Sequence, residues 1–293
     1  MLVEHIAFAV RGPQKGTKIQ LVMLELQTKA SAWNVRLDEV KETSTSLIGY
    51  GVRAGERVVL KLTKHGIDEA RSGEVLKAFG GDGAVRVLKF ETGAVLLERL
   101  EPGEQLVNLA KRDDDEATRI LAQVLERLAH HQPPAECPTV ADWGRGFDRY
   151  LESEDQRLAR ELVREARELY LELTATQGTP MLLHGDLQHY NVLLDQSRGW
   201  TAIDPKGVVG ELECEVGALL RNPVELPELF ANAATVKRRL EILTTQLKLD
   251  YSRALHWSYA QAVLSAIWDI EDGHEITPNN PSLLLARTIK SML

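Results

Sequence analysis

The pattern of apolar and polar positions in the N-terminal third of the chain is typical of short β-strands separated by tight turns. Apolar and polar side chains alternate over residues 35–42, and residues 57–62 (RVVLKL) are rich in β-branched residues. A helix is predicted over residues 69–78, closed by the glycine pair at 80–81. Further strands are predicted at residues 46–52, 84–90 and 94–99. The order β-β-β-α-β-β predicts a small antiparallel sheet with one helix.

The rest of the chain has apolar positions at helical spacing, beginning after the break at Pro102-Gly103. Helices are predicted at residues 113–131, 153–176, 214–221, 228–247, 251–271 and 281–292, and short strands at 181–183, 192–194 and 201–203. This change from strand-type to helix-type spacing of apolar positions predicts an α+β fold with two lobes. Residues 1–100 form a small lobe that includes an extension (1–34, with an amphipathic helix at 17–30), and residues 101–293 form a larger helical lobe.

Composition places the chain among ordinary globular proteins. It has 293 residues, 44% hydrophobic and 27% charged, so a core of normal size is available. Its two cysteines are too few for a disulfide framework and lack the spacing of a structural zinc site. No signal peptide or membrane span is recognisable, so a cytoplasmic location is expected. The net charge of −8 argues against nucleic acid as a partner and is compatible with a cationic small molecule.

The strongest chemical signal is an acidic and amide cluster near residue 190. Asp186 and Asn191 are five residues apart on a loop between two predicted strands, and Asp204 ends the next strand. This arrangement places two carboxylates and one amide oxygen at a common edge, and such oxygens suit Mg²⁺. Phosphoryl transfer needs a carboxylate near the acceptor hydroxyl and metal ions at the phosphates. Individually these residues are also common in turns, but their combination and strand context favour a phosphoryl-transfer site.

A lysine in the third predicted strand is the second signal. Lys61 alternates with apolar residues, like the kinase lysine that pairs with nucleotide phosphates. Such a lysine needs a carboxylate on the following helix, for which Glu69 and Glu74 are the candidates. Glu74 is preferred because the apolar face of the helix continues from it. Alternatively, Lys61 is a solvent-facing residue on an edge strand.

Two further segments are predicted to contact the nucleotide. The turn between the first two predicted strands would cover the phosphates with its hydroxyls and backbone N–H groups, although it has no glycine-rich pattern. Its residues are Ser44, Thr45 and Ser46. Glu98 and Leu100 lie where the two predicted lobes meet, and backbone groups there would bind the adenine edge. Catalytic zinc is disfavoured because His184 and His189 have no third ligand nearby, and no serine or cysteine nucleophile motif occurs.

The sequence His184-Gly185-Asp186 with Asn191 five residues later resembles the catalytic loop of the aminoglycoside phosphotransferase family, which has a protein-kinase-like fold. The run from Gly199 to Gly207 (GWTAIDPKG) and the later Arg221-Asn222-Pro223 resemble its streptomycin 6-phosphotransferase and hydroxyurea-kinase branch. The resemblance implies transfer of the γ-phosphoryl group of ATP to a hydroxyl. Asp186 would then be the catalytic base, and Asn191 and Asp204 would hold Mg²⁺.

The acceptor is expected to bind in the helical lobe. The candidate substrate residues are His189, Lys206, Glu211, Asp269, Glu271 and Asp272. A cationic aminocyclitol would favour an acidic site, but the same acids can be solvated charges at helix ends. Lys206 would contact a phosphate or form a structural salt bridge. Three functions stay open: an antibiotic kinase for streptomycin or a similar compound, a metabolic kinase with another acceptor, and a non-catalytic nucleotide-binding module.

Overall fold

The computed structural model describes the backbone of residues 13–64 and 67–293, and the side chains of residues 20–64 and 71–293. The chain divides into two compact units. The first contains residues up to Gly73 together with Val87–Arg99, and the second contains Glu74–Arg86 and Leu100–Leu293. The predicted assignment of a nucleotide-binding lobe to residues 1–100 and an acceptor lobe to 101–293 stays a prediction.

The first unit is built on a five-stranded antiparallel sheet in the order β1-β2-β3-β5-β4. The strands are β1 (Arg36–Glu42), β2 (Ser46–Arg53), β3 (Glu56–Thr63), β4 (Val87–Glu91) and β5 (Ala94–Glu98). The predicted strands and their antiparallel pairing are present, and β3 lies in the middle of the sheet. Its alternating apolar residues Val58, Leu60 and Leu62 are buried because one face of the sheet is covered.

That cover is α1 (Pro13–Ala32), which is longer than the helix predicted at residues 17–30. Its buried residues Leu26 and Ala30 pack with Trp33 against Leu47 and Leu60 of the sheet. The described part of the predicted extension is therefore part of the hydrophobic core of the first unit. Residues 1–12 of that extension lie outside the described residues.

The second unit is mainly helical. Its helices are α2 (Ile67–Phe79, shared with the first unit), α3 (Val107–Ala110), α4 (Asp114–Leu128), α5 (Val140–Glu152), α6 (Arg160–Ala175), α7 (Leu212–Arg221), α8 (Ala233–Leu247), α9 (Tyr251–Glu271) and α10 (Pro281–Lys290). Two small antiparallel sheets accompany them, β6-β8-β9 and β10-β7, with β6 (Pro102–Gln105), β7 (Met181–Leu183), β8 (Val192–Asp195), β9 (Gly199–Ala202) and β10 (Val208–Gly210).

The prediction was wrong between residues 140 and 160. Helix α5 was missed, and the helix predicted from residue 153 begins only at Arg160. Two glycines inside α5 lower its helix propensity, but Gly144 is needed there because a Cβ atom would lie 2.8 Å from the Tyr170 ring. The Thr139/Asp142 capping box starts the helix. The small strands β6 and β10 were also missed, and α8 begins at Ala233 rather than residue 228.

Helix α9 forms the centre of the second unit. Trp257, Tyr259 and Leu264 are buried along it, and α6, α7 and α10 pack around it. The helix therefore has apolar residues on most of its circumference. Within the described part of the chain, no helix has both the length and the apolar composition that a bilayer span requires.

Candidate active site

The loop between β7 and β8 brings Asp186 and Asn191 together. The side-chain Nδ2 of Asn191 donates to the backbone oxygen of Asp186 at 2.9 Å and to its Oδ2 at 3.2 Å. The loop is closed by a second bond, in which the Asn191 N–H donates to the oxygen of Gln188 at 2.9 Å. Because Asp186 takes the Asn191 amide hydrogens, the Oδ1 atom of Asn191 is left as an acceptor.

His184 connects this loop to the segment that follows β9. Its Nε2–H donates to the oxygen of Ile203 at 2.9 Å, and its Nδ1 accepts the N–H of Asp186 at 3.2 Å. The His184 oxygen accepts from the N–H groups of Lys206 and Gly207. Burial lowers the pKa of His184, so the neutral ring can donate and accept at once. Asp204, next to Ile203, is thereby held near Asp186 in a left-handed backbone conformation with φ of 59°.

Glu215 of α7 accepts hydrogen bonds from the backbone of the loop that carries Asp186. Its carboxylate accepts the N–H of Gly185 at 2.9 Å and the N–H of Leu187 at 3.1 Å, one on each side of Asp186. The side chain is 3% exposed. Burial raises the pKa of Glu215 to about 7, although the backbone N–H groups oppose the shift. In the sequence, Glu215 is one of several acids that follow Asp204, and its only signal is a carboxylate beside an apolar helical run.

A glycine is required next to Asp186. Gly185 has a φ of 79°, and a Cβ atom there would lie 2.8 Å from Cη2 of Trp143. Gly207, after Asp204, is constrained in the same way, because a Cβ atom would lie 2.3 Å from Cγ2 of Val75. Both loops therefore pack tightly against helices.

The residues predicted to bind nucleotide occupy the following positions. Lys61 lies on β3 opposite Ile48 and Val95 and is 8% exposed, so it is not a solvent-facing edge residue. The turn between β1 and β2 contains Ser44 and Thr45, which are exposed, and Ser46, which is buried. Glu98 ends β5, and Leu100 is buried just beyond it.

The structure does not decide which predicted carboxylate, Glu69 or Glu74, pairs with Lys61. The side chain of Glu74 is exposed on α2, so its position gives no reason to prefer it over Glu69. The side chain of Glu69 lies outside the described residues.

Glu211 and Glu271, which were predicted to bind substrate, have structural partners. Glu211 is 3% exposed, forms an ion pair with Arg253, and accepts the N–H groups of Gly178 and the Trp257 indole. Glu271 is bonded to the Arg149 guanidinium through both of its oxygens, at 2.9 and 3.1 Å. Asp272 is an exposed residue at the end of α9. These contacts indicate structural roles for Glu211 and Glu271.

His189 is fully buried and points away from solvent. It lies near the ion pair between Asp114 of α4 and Arg239 of α8, and neither of its ring nitrogens has a hydrogen-bond partner. Burial, together with the Arg239 charge, lowers the pKa of His189 to about 3, so the ring is neutral. Such a position is that of a packing residue of the loop rather than of a substrate contact.

Lys206 and Asp269 are two further residues that were predicted to bind substrate. The Nζ atom of Lys206 lies 6.0 Å from the centroid of the Trp268 ring. Asp269 accepts a hydrogen bond from Asn280 at 2.8 Å. It also interacts electrostatically with Arg221, and Arg221 interacts in the same way with Asp186. Arg221, which appeared in the sequence only as part of the Arg-Asn-Pro resemblance, therefore lies within electrostatic range of both acids.

The donor set near Asp186 fits a hard cation better than zinc. Among the described residues, no group of three His, Cys, Asp or Glu side chains is arranged to hold a metal ion. Asp186, Asp204 and the oxygen of Asn191 provide two carboxylates and one amide, which is the chemistry that Mg²⁺ accepts in the presence of phosphate oxygens.

Comparison with known proteins agrees with this geometry. The family described as aminoglycoside/hydroxyurea antibiotic resistance kinase matches residues 33–273. The chain belongs to this family. It is 34% identical to the streptomycin 6-kinase of Streptomyces griseus over 82% of this chain and 80% of that one, and 34% identical to the hydroxyurea phosphotransferase of Kitasatospora aureofaciens over 80% and 68%.

The fold is shared with a solved aminoglycoside phosphotransferase. A thermostable mutant of APH(4)-Ia, in complex with AMP-PNP and hygromycin B, has a TM-score of 0.66 and 14% identity, covering 91% of this chain and 97% of that one. The predicted kinase-like α+β fold, with an antiparallel-sheet lobe and a helical lobe, is confirmed. The predicted enzyme class, a phosphotransferase, is confirmed by the family.

Replacing Glu215 with glutamine is expected to change how this kinase's stability depends on pH. Because the folded-state pKa is raised above the usual 4.5, the wild type loses stability as pH rises from about 4.5 to about 7. The loss from this group is on the order of 3 kcal/mol, and Glu215→Gln, which cannot ionise, avoids it. Urea denaturation across this pH range would measure the difference. Glu213→Gln on the same helix serves as the control. If the free energy of unfolding changes with pH equally in wild type and Glu215→Gln, the raised pKa of Glu215 is contradicted.

Proposed function

We propose that this kinase transfers the γ-phosphoryl group of ATP to a hydroxyl of an aminoglycoside of the streptomycin type, which inactivates the antibiotic. The geometry of Asp186, held by Asn191, His184 and Glu215, is the observation that carries the proposal. Family membership and the 34% identity to a streptomycin 6-kinase support the choice of acceptor. We place the enzyme in the cytoplasm, where ATP is available.

Asp186 is proposed as the base that accepts the proton of the attacking hydroxyl. The Asn191 amide donates to one oxygen of Asp186, which orients the side chain. The other oxygen is then available to the hydroxyl of the substrate. The bonds of Glu215 to the N–H groups on both sides fix the backbone at this point. A carboxylate held in this way orients the hydroxyl toward the phosphoryl group, which is the main contribution that protein makes in phosphoryl transfer.

Asn191 and Asp204 are proposed to hold Mg²⁺, which neutralises charge on the phosphates when bound. The Asn191 amide is turned by Asp186 so that its oxygen is the atom available to a cation. Asp204 reaches its position through the left-handed backbone and the His184 bond to Ile203.

The nucleotide is proposed to contact residues of the sheet. Lys61, a buried lysine, is the residue suited to the phosphates, and Ser44, Thr45 and Ser46 supply N–H and hydroxyl donors in the turn that precedes β2. The backbone of Glu98 and Leu100 is proposed to bind the adenine edge. Asp269 is proposed to bind the acceptor, and Lys206 is proposed to line the acceptor site.

A second acceptor class follows from the relatives. One of them is named a hydroxyurea phosphotransferase, whose substrate is far smaller than an aminoglycoside. A small hydroxylated compound is therefore the alternative acceptor. A non-catalytic nucleotide-binding module is disfavoured because Lys61, Asp186, Asn191 and Asp204 are all present.

The acceptor is tested by measuring ADP release with ATP and Mg²⁺ against a panel of compounds. The panel contains streptomycin, other aminoglycosides, hydroxyurea, and simple sugars and amino alcohols. Streptomycin-dependent turnover supports the proposal. Turnover with hydroxyurea or a simple metabolite, and none with aminoglycosides, would reject it in favour of the alternative acceptor.

Asn191→Ala is expected to raise the Mg²⁺ concentration needed for half-maximal activity by about tenfold or more, because a metal ligand and the orientation of Asp186 are both lost. Activity measured over a Mg²⁺ titration gives this value. Asn279→Ala, which changes an exposed asparagine, is the matched control. An unchanged Mg²⁺ requirement in Asn191→Ala would contradict the metal assignment.

A further inference from the structure

A tryptophan with a cation over its ring lies beside the catalytic loop. Trp268 of α9 is only partly buried, unlike Trp257 on the same helix, which is fully buried. The Nζ atom of Lys206 lies 6.0 Å from the Trp268 ring centroid, within the range of a cation–π contact. Among the described residues, no carboxylate lies within ion-pair distance of Lys206, so the ring is the group that this ammonium contacts.

The position of the Trp268 ring is fixed by its surroundings. Trp143 of α5 packs against it with ring centroids 5.3 Å apart and planes at 85°. Gly146, also on α5, allows that helix to approach α9 closely, because a Cβ atom there would lie 2.8 Å from Cδ1 of Leu264. A ring packed against a second tryptophan on a closely approaching helix is a preorganised surface rather than a mobile side chain.

This surface is adjacent to the proposed base. Trp143 touches the backbone at Gly185, the residue before Asp186. Lys206 is bonded through its N–H to the oxygen of His184, in the same loop. A molecule whose hydroxyl reaches Asp186 can therefore place another of its groups on Trp268.

The charge around the ring favours a cation. Asp269 follows Trp268 in α9, and its side chain is 31% exposed. Its carboxylate adds negative potential near Trp268, to which the negative face of the ring contributes as well. Lys206 is exposed and has a long flexible stem, so it can leave the ring when another cation arrives.

From these contacts we propose that Trp268 binds a planar cationic group of the acceptor, of the guanidinium type, on the ring face that the Lys206 ammonium otherwise occupies. This inference rests on the proposed function and names the chemical group that the acceptor site recognises. A guanidinium is flat and weakly hydrated, so it stacks on an indole with less loss of hydration than an ammonium. The acceptor would therefore displace Lys206 rather than bind beside it.

The test compares two acceptors of the same shape and different charge. These are streptomycin and its counterpart in which each guanidino group is replaced by a neutral ureido group. Trp268→Leu is expected to raise KM for streptomycin about three- to tenfold and to leave KM for the ureido compound within about twofold. The KM of Trp268→Phe for streptomycin should lie between the wild-type value and that of Trp268→Leu, because phenylalanine keeps an aromatic ring. Lys206→Met should lower KM for streptomycin, because the competing cation is removed.

Matched controls exclude general effects. Trp200→Leu changes another partly buried tryptophan of the same unit, and Lys290→Met changes a lysine that lies 5.6 Å from the Tyr259 ring. Both should keep the wild-type KM values. An equal rise of KM for the two acceptors in Trp268→Leu would indicate a packing role and overturn the inference, as would a rise of KM in Lys206→Met.

A binding measurement without turnover separates this inference from the proposed function. Methylguanidinium is titrated into the wild-type enzyme while the indole N–H signals are followed by NMR. A shift of the Trp268 signal that is reduced in the presence of streptomycin supports the cation site. If streptomycin is phosphorylated but the Trp268 signal does not move, the inference fails and the function stands. If the signal moves but no aminoglycoside is phosphorylated, the acceptor proposal fails and the cation site stands.

Discussion

Asp186→Asn is expected to lower kcat for streptomycin phosphorylation by about two to four orders of magnitude. Asparagine has nearly the same shape and keeps the loop folded, but it cannot accept the proton of the attacking hydroxyl. The bonds that hold the loop, from His184 and Glu215, involve the backbone and are unaffected by this change. The loss should therefore fall on kcat, with little change in the KM for ATP. Steady-state ADP release gives both constants.

Asp38→Asn is the control for this substitution, since it removes one carboxylate from the surface of β1. It should retain wild-type kcat. Equal melting temperatures of Asp186→Asn and wild type would show that the fold is intact. A kcat of Asp186→Asn within about tenfold of the wild-type value would contradict the role of Asp186 as base.

Arg239→Met is expected to lower the free energy of unfolding by about 3–5 kcal/mol. The Arg239 side chain is 2% exposed, its Nε donates to both oxygens of Asp114 at 3.1 Å, and its Nη1 donates to the Asn222 oxygen at 2.7 Å. Burial opposes ionisation of Asp114, but the Arg239 and Arg238 guanidinium groups hold its pKa below the usual value. Removing Arg239 leaves this buried carboxylate without its main partner.

Two variants test whether the stability loss comes from the broken pair. Arg238→Met removes the neighbouring guanidinium, which is 42% exposed, and should lower the free energy of unfolding by less than about 1 kcal/mol. The double variant Asp114→Asn with Arg239→Met removes both charges and should recover part of the loss. Equal losses in Arg238→Met and Arg239→Met, measured by urea denaturation, would show that burial of the pair does not matter.

The strands of the first unit and the loop that joins Asp186 to Asn191 could be predicted because their signals are local. Alternation in residues 57–62 and the turn glycines define β3 and its neighbours. The spacing of Asp186, Asn191 and Asp204 reflects a loop whose residues meet through short-range bonds, such as the bond from Asn191 to Asp186. Local signals of this kind do not depend on where distant helices pack.

Features that depend on tertiary packing could not be predicted. Helix α5 was missed because Gly144 and Gly146 lower local propensity and are required by Tyr170 and Leu264, which lie more than twenty residues away. Glu211 resembled a substrate-binding acid, and only its contacts with Arg253 and Trp257 reveal a buried ion pair. The partial exposure of Trp268 depends on the packing of α5 against α9.

The most direct measurement of the central claim is the mass of streptomycin after incubation with the enzyme, ATP and Mg²⁺. We expect streptomycin to gain one phosphoryl group, with one ADP formed for each product molecule, and we expect neither change with Asp186→Asn. Streptomycin of unchanged mass, while another hydroxylated compound is phosphorylated, would contradict the assignment of the acceptor. ADP formation without any phosphorylated product would contradict phosphoryl transfer to an acceptor altogether.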